Sequence, residues 1–287
     1  MVQQSIISRR TFGSELRAVW AIARKEWRIF LRYPSWVLSM FIWPVLFPFG
    51  YIFTAKALGG PNGAALETFR SLAGTADYVG FIVVGSVMWM WLNMTLWDVG
   101  MYLRNEQMHG TLESNWLCPT WRVSLMLGGG LTKGLVSLLF LAVSLLEFQL
   151  VFGVQLTSGG IGLALLVLLL MLPTIHGIGI AFASLVLRFK EANAMVFLVR
   201  GVFMIFCGIT YPIAVLPGWM QGVASALPLT YAIRDIRAAL LAGATFADIR
   251  ADLLVLAAFA LITPVFGYLI FYLTERRSRR TGDLGQY

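Results

Sequence analysis

The sequence predicts an all-α integral membrane protein with six transmembrane helices, an N-terminal amphipathic interfacial helix and a re-entrant helical pair before the last span. Two observations carry this prediction. Only 13% of the 287 residues are charged and 59% are apolar, whereas about 25% of the residues of a soluble domain are charged. The apolar residues also form long blocks, and about 20 such residues are needed for a helix to cross a hydrocarbon core.

Six blocks are long enough to span a membrane. Prolines within the first, fourth and sixth predict kinks, which membrane helices tolerate when neighbours satisfy the freed carbonyl groups. The predicted spans are residues 35–53, 78–102, 123–151, 161–186, 194–213 and 253–273.

The distribution of basic residues predicts the orientation. With the N-terminus in the cytoplasm, fifteen of the 22 lysines and arginines lie in inside segments, five lie outside and two lie within spans. This bias predicts that both termini are cytoplasmic. The chain then divides into a cytoplasmic segment 1–34, a transmembrane domain 35–273 and a basic cytoplasmic tail 274–287. Because orientation in a bilayer explains the net charge of +8, no nucleic-acid partner is predicted.

The segment before the first span has a helical pattern over residues 15–31. Apolar side chains recur at steps of three and four residues, whereas the basic side chains fall largely on other faces. Such a basic amphipathic helix is suited to the headgroup layer. An alternative is a helix packed on a soluble domain, although no soluble domain is predicted here.

Residues 212–249 contain two apolar pieces, 218–226 and 229–242, that are too short to span. Short helices interrupted by prolines favour a re-entrant pair that dips back from the outer face. The alternative is an ordinary outer loop, which would expose Trp219 and Tyr231 to water.

Motifs for catalysis are absent from the sequence. His109 and His176 are the only histidines, no cluster has the spacing of metal ligands, and no phosphate-binding glycine loop with a Gly-Lys pair occurs. Cys118 and Cys207 are not expected to form a disulfide. The chain is therefore predicted neither to bind ATP nor to be an enzyme. Gly130 and Gly134 instead predict a close contact between helices.

A few residues within the predicted spans are candidates for a transport path. Charges in lipid are costly, and aromatic rings can face an amphiphile or a sugar chain. Ordinary explanations stand beside these roles: Arg200 can extend to the inner interface, His176 can be a neutral ring bonded to a neighbouring helix, and the tryptophans can pack. The candidates are Trp43, Trp89, Trp91, Lys133, His176 and Arg200.

The loop 104–122 carries the most informative motif. It contains a Glu-x-x-x-Gly-Thr-Leu-Glu segment followed by a proline, and this resembles the permease subunits of type 2 ABC exporters. Cys118 departs from the small or hydroxylated residue that usually precedes this proline. The matching positions are Glu106, Gly110, Thr111, Leu112, Glu113 and Pro119.

A second match lies in the outer segment and resembles the C-terminal signature of the same family. It comprises Tyr211-Pro212, Leu216-Pro217-x-Trp219, the run from Leu227 to Tyr231, and Ile236-Arg237. With the six predicted spans, the resemblance covers nearly the whole chain.

The resemblance implies partners and roles. The chain would form a homodimer, or a dimer with a similar permease, and would dock on two separate ATP-binding subunits that hold ATP and Mg; the chain itself would need no cofactor. The location would be a bacterial inner or cell membrane. A coupling helix would comprise Glu106, Gly110, Thr111, Leu112, Glu113, Trp116, Leu117 and Pro119, with a lesser contact at Phe189, Lys190 and Glu191. An outer gate would comprise Pro212, Pro217, Trp219, Pro228 and Tyr231.

The substrate stays open between two classes at this point. A hydrophobic path with few fixed charges favours export of an amphiphilic drug or lipid-like molecule, and a lipid-linked polysaccharide is the alternative. A proton-driven secondary transporter that uses Lys133, Glu147 or His176 is another alternative, and a membrane scaffold without transport is a third.

Overall fold

The computed structural model describes residues 11–59, 64–102, 106, 108, 110, 114, 118, 120–188 and 192–281. These residues are helical with short connections, and no strand occurs among them. The prediction of an all-α protein is confirmed. The helices are α1 (Phe12–Arg32), α2 (Pro34–Gly59), α3 (Ala64–Ala73), α4 (Tyr78–Asp98), α5 (Arg122–Phe152), α6 (Ile161–Arg188), α7 (Ala192–Phe206), α8 (Gly218–Ser225), α9 (Pro228–Leu241) and α10 (Phe246–Thr281).

Five helices, α2, α4, α5, α6 and α10, are long and apolar enough to cross a membrane. Four of them contain a predicted span, whereas α4 ends at Asp98, four residues before the predicted end of the span 78–102. Helices α2, α6 and α10 continue through their internal prolines. The remaining predicted span, 194–213, is different. Its helix α7 has 15 residues, or about 22 Å at 1.5 Å per residue, against a hydrocarbon core of about 30 Å. The six-span count therefore stays a prediction.

A glycine explains why α7 ends early. Gly208 has a φ of 64°, which a glycine adopts at low cost and which no α-helix continues through. The chain turns there, and the Tyr211 hydroxyl donates a hydrogen bond back to the carbonyl oxygen of Ile205. The hydrophobic pattern continues past this point, so pattern alone predicts a longer helix.

Helix α1 packs along α5. Thr11 and Ser14 form a reciprocal capping box at its start, an arrangement that satisfies otherwise unpaired backbone donors. Gly128 allows the close approach, since a Cβ there would lie 2.7 Å from Cβ of Ile22. The opposite face of α1 leaves Trp20 69% exposed. This exposure suits the predicted interfacial location.

The most extensive helix pair is α6 with α10. A Cβ on Gly177 would lie 2.5 Å from the Pro264 nitrogen, so the backbones almost touch. The Thr263 hydroxyl lies at the crossing, 2.8 Å from the Phe259 carbonyl oxygen of its own helix and 3.2 Å from the Thr174 carbonyl oxygen of α6. Helix α4 lies at the centre and contacts α2, α5, α6, α7 and α9.

The outer segment contains two helices where two short apolar pieces are predicted. Helix α8 begins directly after Pro217, and α9 begins at Pro228, because proline suits the first turn of a helix. Helix α9 packs against α4, α6 and α10. Whether the pair is re-entrant stays a prediction. Helix α3 was not predicted from the sequence. Its Phe69 ring packs edge-on against the ring of Phe81 in α4, with centroids 5.1 Å apart.

Candidate functional site

The predicted coupling loop is described at a few positions. Gly110 has a φ of 68°, which suits the turn expected before the loop helix. Glu106 is half-buried. The other predicted coupling residues lie outside the described residues: Thr111, Leu112, Glu113, Trp116, Leu117 and Pro119, together with Phe189, Lys190 and Glu191.

One end of this loop is tied to α1 by an ion pair. The Lys25 ammonium lies 3.3 Å from Glu106 Oε1 and 3.2 Å from Glu26 Oε1. Burial lowers the pKa of Lys25, but the charges of Glu26 and Glu106 outweigh burial and the net pKa is raised. Lys25 therefore keeps its charge and holds α1 to the loop.

The other end of the loop is also tied to α1. The buried carboxylate of Glu15 accepts a hydrogen bond from the Ser124 hydroxyl at 2.6 Å and from the Trp121 backbone N–H at 3.1 Å. Trp121 is the N-cap residue of α5 and Ser124 lies in its first turn, so both stand at the end of the loop. Helix α1 thus holds both ends of the loop 104–122. Sequence reasoning missed Glu15; a lone acidic residue in the first turn of a basic helix was the available signal.

A cluster of ionisable side chains lies at the same end of the bundle. Lys133 Nζ of α5 lies 3.1 Å from Asp98 Oδ1 at the end of α4. His176 of α6 lies beside them, because Gly134 leaves room for its ring, with Nε2 3.8 Å from where a Cβ would stand. The ring Nδ1 bonds the Leu172 carbonyl oxygen of its own helix at 2.9 Å. The structure brings together two predicted path residues, Lys133 and His176, and adds Asp98.

The predicted tryptophans occupy three different environments. Trp91 is fully buried between helices, so it offers no surface to a path in this conformation. Trp43 on α2 is 56% exposed. Trp89 is buried and its ring stacks on Phe47 with centroids 4.8 Å apart.

Arg200 joins the third of these tryptophans. Its guanidinium carbon lies 4.9 Å from the Trp89 ring centroid and 5.0 Å from the Phe197 centroid, distances typical of cation–π contacts. Trp89 Nε1 also donates to the Arg200 carbonyl oxygen at 3.1 Å. Helices α2, α4 and α7 therefore share one row of aromatic rings with a cation in it.

The predicted outer-gate residues sit around α8 and α9. Trp219 is exposed, and its ring centroid lies 6.3 Å from that of Phe206. The Tyr231 hydroxyl donates to the Ser225 carbonyl oxygen at 2.7 Å. Prolines 212, 217 and 228 precede or begin the short helices of this region. A ring contact therefore joins α7 to α8, and a side-chain hydrogen bond joins α8 to α9.

Arg237 fixes α9 to the rest of the bundle. Its guanidinium donates to the carbonyl oxygens of Phe81, Gly208 and Ile209, at distances from 2.7 to 3.1 Å. Gly85 leaves space for this arrangement, because a Cβ there would clash with the guanidinium. The sequence placed Arg237 in a family signature but did not indicate its structural role.

Two neighbouring aspartates, Asp235 and Asp252, lie between α9 and α10. Asp235 is buried, and its Oδ2 has no hydrogen-bond partner among the described residues. Asp252 of α10 lies beside it and accepts from Arg234 Nε at 2.6 Å. Burial first, and then the neighbouring Asp252, raises the pKa of Asp235 to about 8.

Span-length apolar helices with charges placed at helix ends and between helices define a multi-pass helical membrane protein. Within that class the chain matches the ABC-2 type transporter family over residues 17–241. The match covers most of the chain, and the protein belongs to this family. Membership makes it a membrane permease component of an ABC transporter and implies association with an ATP-binding subunit. No curated protein matches the chain.

Proposed function

We propose that this chain is the membrane-spanning subunit of an ATP-driven exporter of an amphiphilic, drug-like or lipid-like substrate. The observation that carries the proposal is the clamp of α1 on both ends of the loop 104–122, in a chain of the ABC-2 family. A loop that is tied to a neighbouring helix at both ends can pass a displacement to the helices that flank it.

The proposed mechanism is alternating access. Two ATP-binding subunits, which hold ATP and Mg, close on the loop residues around Thr111–Leu117 and push α1, α4 and α5 together. The lesser contact is residues 189–191 between α6 and α7. A homodimer of this permease, with six spans and cytoplasmic termini in a bacterial inner or cell membrane, encloses the path. Helices α8 and α9 dip back from the outer face and close its outer end.

The contacts of α1 favour this coupling. Lys25 is bonded to Glu106 at the start of the loop, and Glu15 is bonded to the first turn of α5. A force on the loop therefore reaches α1 through Lys25, and the start of α5 through Glu15, by charged contacts, which are stronger than neutral hydrogen bonds.

Glu113→Arg tests the coupling. The reversed charge lies within the predicted contact with the ATP-binding subunit, so the variant is expected to insert normally and to lose ATP-dependent transport. The measurement is ATP hydrolysis and transport by the reconstituted complex, with inserted amounts matched by immunoblot. Glu67→Arg in α3 is the control, because it reverses one exposed acidic charge on the opposite side of the membrane. ATP-dependent export by Glu113→Arg at the wild-type rate would refute the coupling role.

One observation favours a second candidate, a proton-driven transporter. Lys133, Asp98 and His176 gather between three spans, and groups of this kind relay protons in transporters. That function predicts transport that follows the proton gradient and needs no ATP-binding subunit. Collapse of the gradient by a protonophore separates the two candidates.

A further inference from the structure

Lys133, Arg237 and Arg200 are cations that lie among the helices, and their charged groups have different partners. Lys133 is paired with Asp98, and Arg237 donates to three backbone carbonyl oxygens. Arg200 has neither kind of partner: in the described part of the chain its guanidinium forms no ion pair and donates no hydrogen bond. A charge in an apolar helix is costly without a partner, so the guanidinium of Arg200 can accept an anionic ligand.

The position of Arg200 makes it reachable. It stands eight residues into α7, about 12 Å along the helix axis, and its side chain is half-buried. One turn earlier on the same face, Phe197 is 58% exposed. A molecule that approaches α7 from the bilayer or from a path between two permeases therefore meets both side chains.

The surroundings orient the guanidinium. Trp89 and Phe197 lie against it at 4.9 and 5.0 Å, and Trp89 is backed by Phe47. Ring contacts of this kind stabilise the cation but do not use its N–H groups. The five donors stay available for an anion, and phosphate and carboxylate groups match the planar fork.

We propose that Arg200 binds the anionic headgroup of an amphiphile whose hydrocarbon part lies against the exposed ring of Phe197. The headgroup carries a phosphate, sulfate or carboxylate. The inference rests on the proposed function where it identifies this amphiphile as the transported substrate. A bilayer phospholipid has the same chemistry and is the other source of the ligand.

Binding of dodecyl phosphate tests the site. The full-length chain is purified in nanodiscs of phosphatidylcholine, and binding of radiolabelled dodecyl phosphate and of the neutral dodecanol is measured. The wild type is expected to prefer dodecyl phosphate about tenfold, the value of one charge-assisted contact. Arg200→Gln is expected to lose the preference, and Arg70→Gln, which removes an exposed arginine of α3, is expected to keep it. A preference retained in Arg200→Gln, or missing in the wild type, would overturn the proposal.

A second variant covers the case in which Arg200→Gln does not fold. Arg200→Lys keeps the charge but loses the planar fork, so its preference is expected to fall several-fold and to stay above one. An unchanged preference or a complete loss in this variant contradicts recognition by the guanidinium.

Nanodisc composition distinguishes the two ligand sources. If phosphatidylglycerol in the disc competes with dodecyl phosphate at the wild-type site, the occupant is a bilayer lipid. If phosphatidylglycerol leaves the affinity unchanged, the occupant is a diffusible amphiphile. Both results keep the Arg200 site. The binding assay contains no ATP-binding subunit, so it is independent of the transport assay. If the wild type shows no preference for dodecyl phosphate while its ATP-driven transport is intact, the site alone is refuted. If the preference is present while transport does not depend on ATP, the proposed function alone is refuted.

Discussion

Arg237 of α9 donates two hydrogen bonds to one backbone oxygen, the carbonyl of Phe81 in α4, from Nη2 at 2.7 Å and from Nε at 3.1 Å. The same guanidinium lies over the Phe81 ring, 3.3 Å from its centroid. It also reaches Gly208 and Ile209 at the turn that ends α7. One side chain thus joins three elements at the predicted outer end of the bundle.

Arg237→Lys is expected to destabilise the protein although it keeps the charge. A lysine ammonium cannot span three carbonyl oxygens as the guanidinium does, and buried carbonyl groups that lose their donor cost about 1–3 kcal/mol each. The melting temperature of the purified chain in detergent should fall by about 5–10 °C. Arg70→Lys, at an exposed site of α3, is the control. An unchanged melting temperature in Arg237→Lys would show that these bonds contribute nothing.

Asp235 predicts a dependence of stability on pH. Its pKa is raised to about 8 by burial and by Asp252 of α10, while Arg234 of α9 opposes the shift. The folded protein therefore binds a proton that the unfolded chain, with an ordinary carboxyl pKa of about 4, releases. Stability contributed by this proton is complete below about pH 4 and is lost as the pH rises to about 8.

The variant Asp235→Asn isolates this proton, because the amide mimics the protonated acid. Its melting temperature should decline less than that of the wild type between about pH 5 and pH 9. Glu67→Gln, at an exposed site, should behave as the wild type does. Equal slopes for Asp235→Asn and the wild type would contradict the assignment of the proton to Asp235.

Gly177 predicts a steric effect at the α6–α10 crossing. Ala at this position would place a Cβ 2.5 Å from the Pro264 nitrogen, and backbone atoms cannot move aside as a flexible side chain can. Overpacking of this kind costs about 1–3 kcal/mol. Gly162→Ala in the same helix is the matched control, since nothing lies within 4 Å of its Cβ. Thermal unfolding of the two variants should therefore separate, and coincident melting curves would refute the close packing.

Glu15→Ala tests the clamp on the coupling loop. The substitution leaves the Ser124 hydroxyl and the Trp121 N–H without their acceptor, and each lost buried bond costs about 1–3 kcal/mol. Protease cleavage within the loop 104–122 should become faster in the purified chain. Glu67→Ala in α3 should leave the cleavage rate unchanged. A Glu15→Ala variant with the wild-type rate would mean that α1 does not restrain the loop.

The five span-length helices were predictable because a bilayer demands long apolar blocks, and such blocks are visible in any single stretch of sequence. The early end of α7 was not, since the pattern runs on past Gly208 and only the backbone geometry shows the turn. Among the candidate residues, Lys133 and His176 were chosen for their cost in lipid. The pairing of Lys133 with Asp98 could not be inferred, because the contact depends on how α4 and α5 pack.

The predicted roles of the tryptophans show the same limit. The sequence pattern placed Trp89 and Trp91 in one span, two residues apart and therefore on different faces of the helix. Only packing decides that Trp91 lies in the core whereas Trp89 stacks between Phe47 and Arg200.

We propose that ATP hydrolysis by a partner subunit drives transport through this chain. The most direct measurement is accumulation of a fluorescent anionic amphiphile in inside-out membrane vesicles that contain the chain and its ATP-binding subunit, with vesicles lacking the chain as control. We expect accumulation that requires Mg-ATP, persists in the presence of a protonophore and is lost in Glu113→Arg. Accumulation that proceeds without ATP and collapses with the protonophore would contradict the proposal.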